Sequence, residues 1–101
     1  MHIQASRIDD KATLRLDGRF QFDSHRECRA AYDPWLDDPA VRRIAVDFSR
    51  VAYLDSSALG MLLLLKEKAA SLNKSVELAG AQGAVRQVLD VANFARLFIV
   101  S

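Results

Sequence analysis

The residues Asp55-Ser56-Ser57 place two hydroxyls between a carboxylate and Ala58–Leu65, the longest apolar run of the chain. Such a pair can serve as nucleophile, as phosphate acceptor or as helix cap. A nucleophilic serine needs a supporting base. The histidines, His2 and His25, lie far from the pair in sequence, and no G-x-S-x-G elbow, G-x-x-x-x-G-K-[ST] loop or G-x-G-x-x-G turn occurs. We therefore expect no catalysis. Neither histidine has a second ligand-type residue at helical i, i+4 spacing, so neither a metal nor another cofactor is expected. The lone cysteine, Cys28, cannot close a disulfide within the chain and reads as a small buried hydrophobe on a helix. Asp9-Asp10 and Asp37-Asp38 sit at turn positions, where aspartates are common for backbone reasons, and read as solvated turns.

The whole chain sets the frame for that motif. Its 101 residues suit one domain spanning 1–101, with half of them apolar or aromatic and a formal net charge of +1. The basic residues are scattered rather than blocked together, which points away from direct nucleic-acid or membrane-surface binding. The first residues carry charges where a signal peptide needs an apolar stretch, and Ala58–Leu65 is far shorter than the ~20 residues that span a bilayer. A cytoplasmic protein is expected.

Positioning the motif takes several elements. Ile3–Ile8 and Ala12–Leu16 nearly alternate around Asp9 and Asp10, which predicts a hairpin ended by Gly18. A helix follows, capped by Asp23 or Ser24, with Cys28, Ala31, Tyr32, Trp35 and Leu36 on one side and an end or kink at Pro34. The run VRRIAVDFS predicts a strand, Ser75–Ala79 another, AVRQVLDVANFA a helix and RLFIV a last strand. The order β-β-α-β-α-β-α-β predicts an α/β fold, a mixed sheet of about four or five strands with helices mainly on one face.

At roughly 100° per residue, Ala58, Met61, Leu62, Leu65, Ala69 and Leu72 share one arc of the helix that starts near Ser56. Opposite them lie Ser56, Gly60, Leu63, Glu67 and Ser71, flanked by Leu59 and Leu64. The first two turns thus carry more leucine than one buried stripe requires. Asp55 is placed to cap the helix, because its carboxylate can accept from a first-turn N–H and complements the positive end of the dipole.

IAVDFSRVAYLDSSALGMLL resembles a STAS domain of the anti-sigma factor antagonist (anti-anti-sigma factor) family: a strand, an Asp-containing turn, the D-S-S-x-L-G signature and a long apolar helix. LDGRFQFDSHRECRAAY and VELAGAQGAVRQVLDVANFARLFIV extend the likeness over nearly the whole chain. Ala58 departs from the glycine often found there. The resemblance implies a STAS-like α+β fold and a bacterial partner-switching regulator of transcription. Unphosphorylated at Ser56, such a protein binds an anti-sigma factor and releases a sigma factor. A serine kinase inactivates it and a phosphatase restores it. The resemblance makes Ser56 the phosphorylation site, with Ser57 the runner-up and Asp55 the neighbour at the helix start. The partner-binding surface would comprise Ser56, Ser57, Leu59, Gly60, Leu63 and Leu64. The alternative is a STAS subunit of an ABC-type membrane transport complex that docks on its ATPase through the same helix.

Overall fold

The computed structural model describes residues 2–100. Strands β1 (His2–Ile8) and β2 (Lys11–Phe20) form the expected hairpin, turning at Asp9 with φ +55°. Helix α1 (His25–Asp37), strand β3 (Arg43–Leu54), helix α2 (Ser56–Ser71), strand β4 (Ser75–Ala79), helix α3 (Gly83–Val91) and strand β5 (Ile99–Val100) follow. The five strands lie in sequence order, with β1 antiparallel to β2 and every later neighbour parallel. Each parallel connection steps one strand in the same direction, and right-handed crossovers then place all three helices on one face. The mixed sheet with one covered face is therefore as expected.

Alternation divides the sheet. Ala12, Leu14 and Leu16 of β2, Ile44, Val46 and Phe48 of β3, and Val76 and Leu78 of β4 point into one continuous core with Tyr32, Leu36, Met61, Leu65, Val85 and Leu89 of the helices. Their neighbours form the open face. There Lys11 of β2 reaches over β3 to pair with Glu77 of β4, and Arg15 pairs with Asp47 on the adjacent strand. β3 breaks register with β2 between Arg15 and Asp17 and again between Gly18 and Arg19. Each irregularity inserts one residue on β3, flips its parity, and keeps Val51 and Leu54 on the core side with Phe20.

Several expectations are corrected. Gly18, at φ +110°, does not end its strand, because β3 offers ladder partners on both sides of it and β2 continues to Phe20. The strand read from VRRIAVDFS likewise runs on to Leu54. Pro34 lies inside α1 and leaves it unbroken to Asp37. Its ring costs the helix a hydrogen bond, about 3 kcal/mol in an ordinary interior. Cys28, Tyr32 and Leu36 straddle the proline at i, i+4, i+8 and bury on the sheet, which holds the turn in place. The start of α1 is built by a short 3-10 turn rather than a side-chain cap: the Ser24 hydroxyl accepts from Gln21 N–H and donates to Arg19 O.

Leu72, placed on the core arc by the wheel, is 48% exposed. It is the C-cap of α2, where Asn73 turns left-handed and the chain reverses, with Lys74 N–H returning to Ala69 O at 2.8 Å. Lys74 Nζ then donates to the carbonyls of Asp38 and Val41 and ties this end of α2 to the loop before β3. Of RLFIV only Ile99 and Val100 pair with β4, since a 3-10 turn over Phe94–Arg96 stacks the rings of Phe94 and Phe98 and turns both into the core. Asp10 is more than a solvated turn residue: Arg43 Nη2 donates to its carboxylate at 2.8 Å, which holds that carboxyl below its ordinary range.

Candidate functional site

β3 delivers the site. Its last residue, Leu54, is buried opposite Phe20, and the next N–H, that of Asp55, donates to Phe20 O at 3.3 Å. This bond fixes where the sheet ends and α2 begins. Asp55 is extended (φ −105°, ψ 177°) and its Oδ1 accepts from Ala58 N–H at 2.9 Å, so the expected cap is present. Leu59 N–H reaches Asp55 O and closes the first helical turn. Ser56 and Ser57 are the first two residues of the helix, and both are exposed. Their N–H groups belong to the first turn, which lacks intrahelical acceptors and favours negative charge.

The helix wheel holds in three dimensions for the first three turns. Ala58, Met61, Leu62 and Leu65 are buried, whereas Ser56, Gly60 and Leu63 form an exposed i, i+4, i+7 row. Leu63 is 37% exposed. Leu64 is half-buried, and Leu59 packs against the core edge, so among the surplus leucines Leu63 offers the most open surface.

Gly60 is the unusual member of the row. A glycine inside a helix costs about 1 kcal/mol relative to alanine. Its usual justifications are a positive φ or a neighbour too close for a Cβ. Neither applies here: Gly60 is helical, and a Cβ built on it meets no atom within 4 Å. Gly80 shows the contrast, with φ +75° and a Cβ position 2.9 Å from Asp47 Oδ1. The fold needs glycine at 80. It does not need one at 60.

Sequence reasoning missed a second feature beside the helix start. Arg19 and Tyr53 pair across β2 and β3 one step before Phe20 and Leu54, and the Arg19 guanidinium lies over the Tyr53 ring, 4.5 Å from its centroid. Tyr53 is 42% exposed. The partnership depends on the register irregularity between Gly18 and Arg19, which no local pattern announces.

The remaining reactive groups stand apart. Cys28 is buried, and burial pushes its thiol up to about 12, so it is no nucleophile at neutral pH. Beside it lies an apolar void of about 10 Å³ lined by Leu14, Phe20, Tyr32, Met61 and Leu65 among others, no larger than one water. The described residues contain no cluster of three or more metal-ligating side chains and no helix long and apolar enough to cross a membrane.

The family described as "Mlab, STAS domain" matches residues 3–101. A STAS-domain containing protein of Pseudomonas aeruginosa is 44% identical over 89 residues, 88% of this chain and 86% of that one. The anti-sigma factor antagonist SpoIIAA in its unphosphorylated form superposes with a TM-score of 0.83 at 20% identity, covering 99% of this chain and 88% of that one. The phosphorylated form of SpoIIAA, from Bacillus, gives 0.76 at 19% identity over 99% and 91%. A sulfate transporter family protein from Wolinella succinogenes gives 0.76 at 14% identity over 90% and 76%. These solved structures share the fold, and the sequence match extends over almost every element described above. The chain belongs to the STAS domain family.

Proposed function

We propose that this protein is an anti-sigma factor antagonist that works by partner switching in the cytoplasm and catalyses nothing itself. Unphosphorylated at Ser56, it captures an anti-sigma factor on the exposed row of α2 and so frees a sigma factor. Phosphorylation of Ser56 by a serine kinase releases the partner, and a phosphatase resets the protein. The observation that carries this reading is Gly60: a mid-helix glycine with open space around it, set between an exposed hydroxyl and an exposed leucine. Stability is given up there without any gain inside the fold. Close approach of another backbone explains the choice, because glycine presents no side chain to it. The occurrence of SpoIIAA in both phosphorylated and unphosphorylated forms supports the same reading.

The switch follows from charge. A phosphate on Ser56 adds roughly −1.5 to −2 charges and three acceptor oxygens. The free protein tolerates them, since first-turn N–H groups and the helix dipole favour an anion at that position. A closed interface does not, because Asp55 already supplies like charge and the phosphate must lose its water against Leu63. Like charge in an interface costs several kcal/mol, and each 1.4 kcal/mol is about tenfold in affinity.

The test is capture from the native host with wild type, Ser56→Ala and Ser56→Asp, followed by titration of the captured protein. The expected result is an anti-sigma factor bound by wild type and Ser56→Ala and weakened on the order of 100-fold by Ser56→Asp. Equal binding by the alanine and aspartate forms refutes the charge switch. Phosphate found on Ser57 alone moves the site, and capture of a transport ATPase in place of an anti-sigma factor assigns α2 to the other docking role.

A further inference from the structure

The two edges of the sheet are protected unequally. β5 pairs over two residues only, and so short an edge offers little to a second chain. β1 is seven residues long and pairs with β2 from His2 to Ile8 without a bulge. It contains no proline and no lysine. Its one arginine is turned back on its own molecule: Arg7 Nε donates to Asp9 O at 2.9 Å and Nη1 to Asp38 Oδ2 at 3.1 Å. Lysine, proline, a bulge and a very short strand, four of the usual devices that block pairing at a sheet edge, are therefore missing from β1, and the charge of Arg7 is directed to Asp38 rather than across the edge.

Hydrogen-bond parity shows what fits this edge. In a two-residue hairpin the flanking pair, here Ile8 and Lys11, exchanges hydrogen bonds, and the pattern alternates from there. Ser6, Gln4 and His2 likewise face β2, so the N–H and C=O groups of Ile3, Ala5 and Arg7 point outward. An antiparallel copy of β1 centred on Ala5 sets Ala5 opposite Ala5 and Ile3 opposite Arg7 on both sides of the axis. All seven residues overlap. About six main-chain hydrogen bonds form, two for each such pair. The smallest side chains meet at the axis, the two arginines stay apart, and exposed Ile8 gains His2 of the other copy as its neighbour. Centring on Arg7 would oppose like charges and shorten the overlap.

We propose that β1 is a self-association edge, through which two copies of this chain pair antiparallel about a two-fold axis at Ala5 and join their sheets into one. The pairing engages the main chain of β1 alone, and Ser56, on α2, is not among the residues it uses. The pairing is independent of the partner switch, and Ser56→Asp leaves it unchanged.

Sedimentation equilibrium on the full chain tests the proposal. Wild type is expected to reach about twice 11.3 kDa as concentration rises. Ala5→Pro removes an outward N–H and leaves the β2 ladder intact, so it is expected to stay monomeric with its circular dichroism unchanged. A second variant needs no such tolerance: Ala5→Cys brings two thiols onto facing positions about 5.5 Å apart between Cα atoms, within disulfide reach. Ile8→Cys, at a more exposed position, holds them about 20 Å apart at ~3.4 Å per residue. Mild oxidation is expected to cross-link Ala5→Cys at least tenfold faster than Ile8→Cys, with buried Cys28 outside the exchange. A wild type that stays monomeric, a dimer that survives Ala5→Pro in folded form, or equal cross-linking rates overturns the proposal.

Discussion

Replacing Gly60 by alanine separates what α2 does for the fold from what it does for a partner. The added methyl meets nothing within 4 Å, so no packing penalty arises. Alanine lowers the conformational cost of the helix by about 1 kcal/mol relative to glycine. With an unfolding entropy near 2.1 cal/mol/K per residue, that gain raises the melting temperature of a chain this size by about 5 °C. Binding moves the other way, because a methyl on the exposed row between Ser56 and Leu63 holds the partner's surface off and opens a gap where dispersion contacts were made. We expect Gly60→Ala to melt about 5 °C higher by circular dichroism and to bind the captured partner at least tenfold more weakly. An alanine variant that is less stable than wild type means that Gly60 serves the helix itself. Unchanged affinity means that no partner comes close at this position, and the proposed function then loses its principal support.

Gly80→Ala should do the opposite to the fold, costing about 2–4 kcal/mol by urea unfolding from a left-handed alanine and from displacement of the Asp47 carboxylate off Ser49 N–H, a charge-assisted bond now 2.9 Å long. Burial alone would raise the Asp47 carboxyl, but the Ser49 and Arg15 hydrogen bonds outweigh it and hold the group below its ordinary value near 3.8. Its stabilisation is therefore present above that value and lost as pH falls through the lower folded one, so the gap between wild type and Gly80→Ala should narrow below about pH 4. A pH-independent gap would refute the Asp47 contact. Tyr32→Phe should stabilise by about 1 kcal/mol, because the Tyr32 hydroxyl is buried without a hydrogen-bond partner among the described residues and the void beside it is apolar; a destabilised variant would reveal a bound water. Asp55→Ala should cost about 1 kcal/mol and Asp55→Asn only a fraction of that, since asparagine can still accept from Ala58 N–H; equal losses would assign the effect to charge instead of the cap.

What could be read from the sequence was what is local. The cap at Asp55, the buried stripe through Ala58, Met61, Leu62 and Leu65 and the exposed hydroxyls all follow from residues within two turns of one another, where a 3.6-residue period is enough. The misreadings fall where distant segments decide. Pro34 stays helical because residues on either side of it bury on the sheet, Gly18 stays in its strand because β3 runs beside it, and Arg19 meets Tyr53 only after two register irregularities. Gly60 belongs to a third kind: its place on the exposed side follows from the helical period, but that nothing packs where a Cβ would stand is seen only in the folded structure.

On the proposed function, that empty space lets one helix serve two purposes. α2 spends one side on the core, where Ala58 and Ala69 are fully buried, and the opposite side carries no structural duty between Ser56 and Leu63. A charge placed on Ser56 therefore meets no buried neighbour, and the first-turn dipole accommodates it. For the partner of the proposed function, which must cover that row, the same charge is intolerable. A switch built this way needs no conformational change in the protein that carries it, because the difference between the two states is felt only by the surface that must dock against Ser56, Gly60 and Leu63.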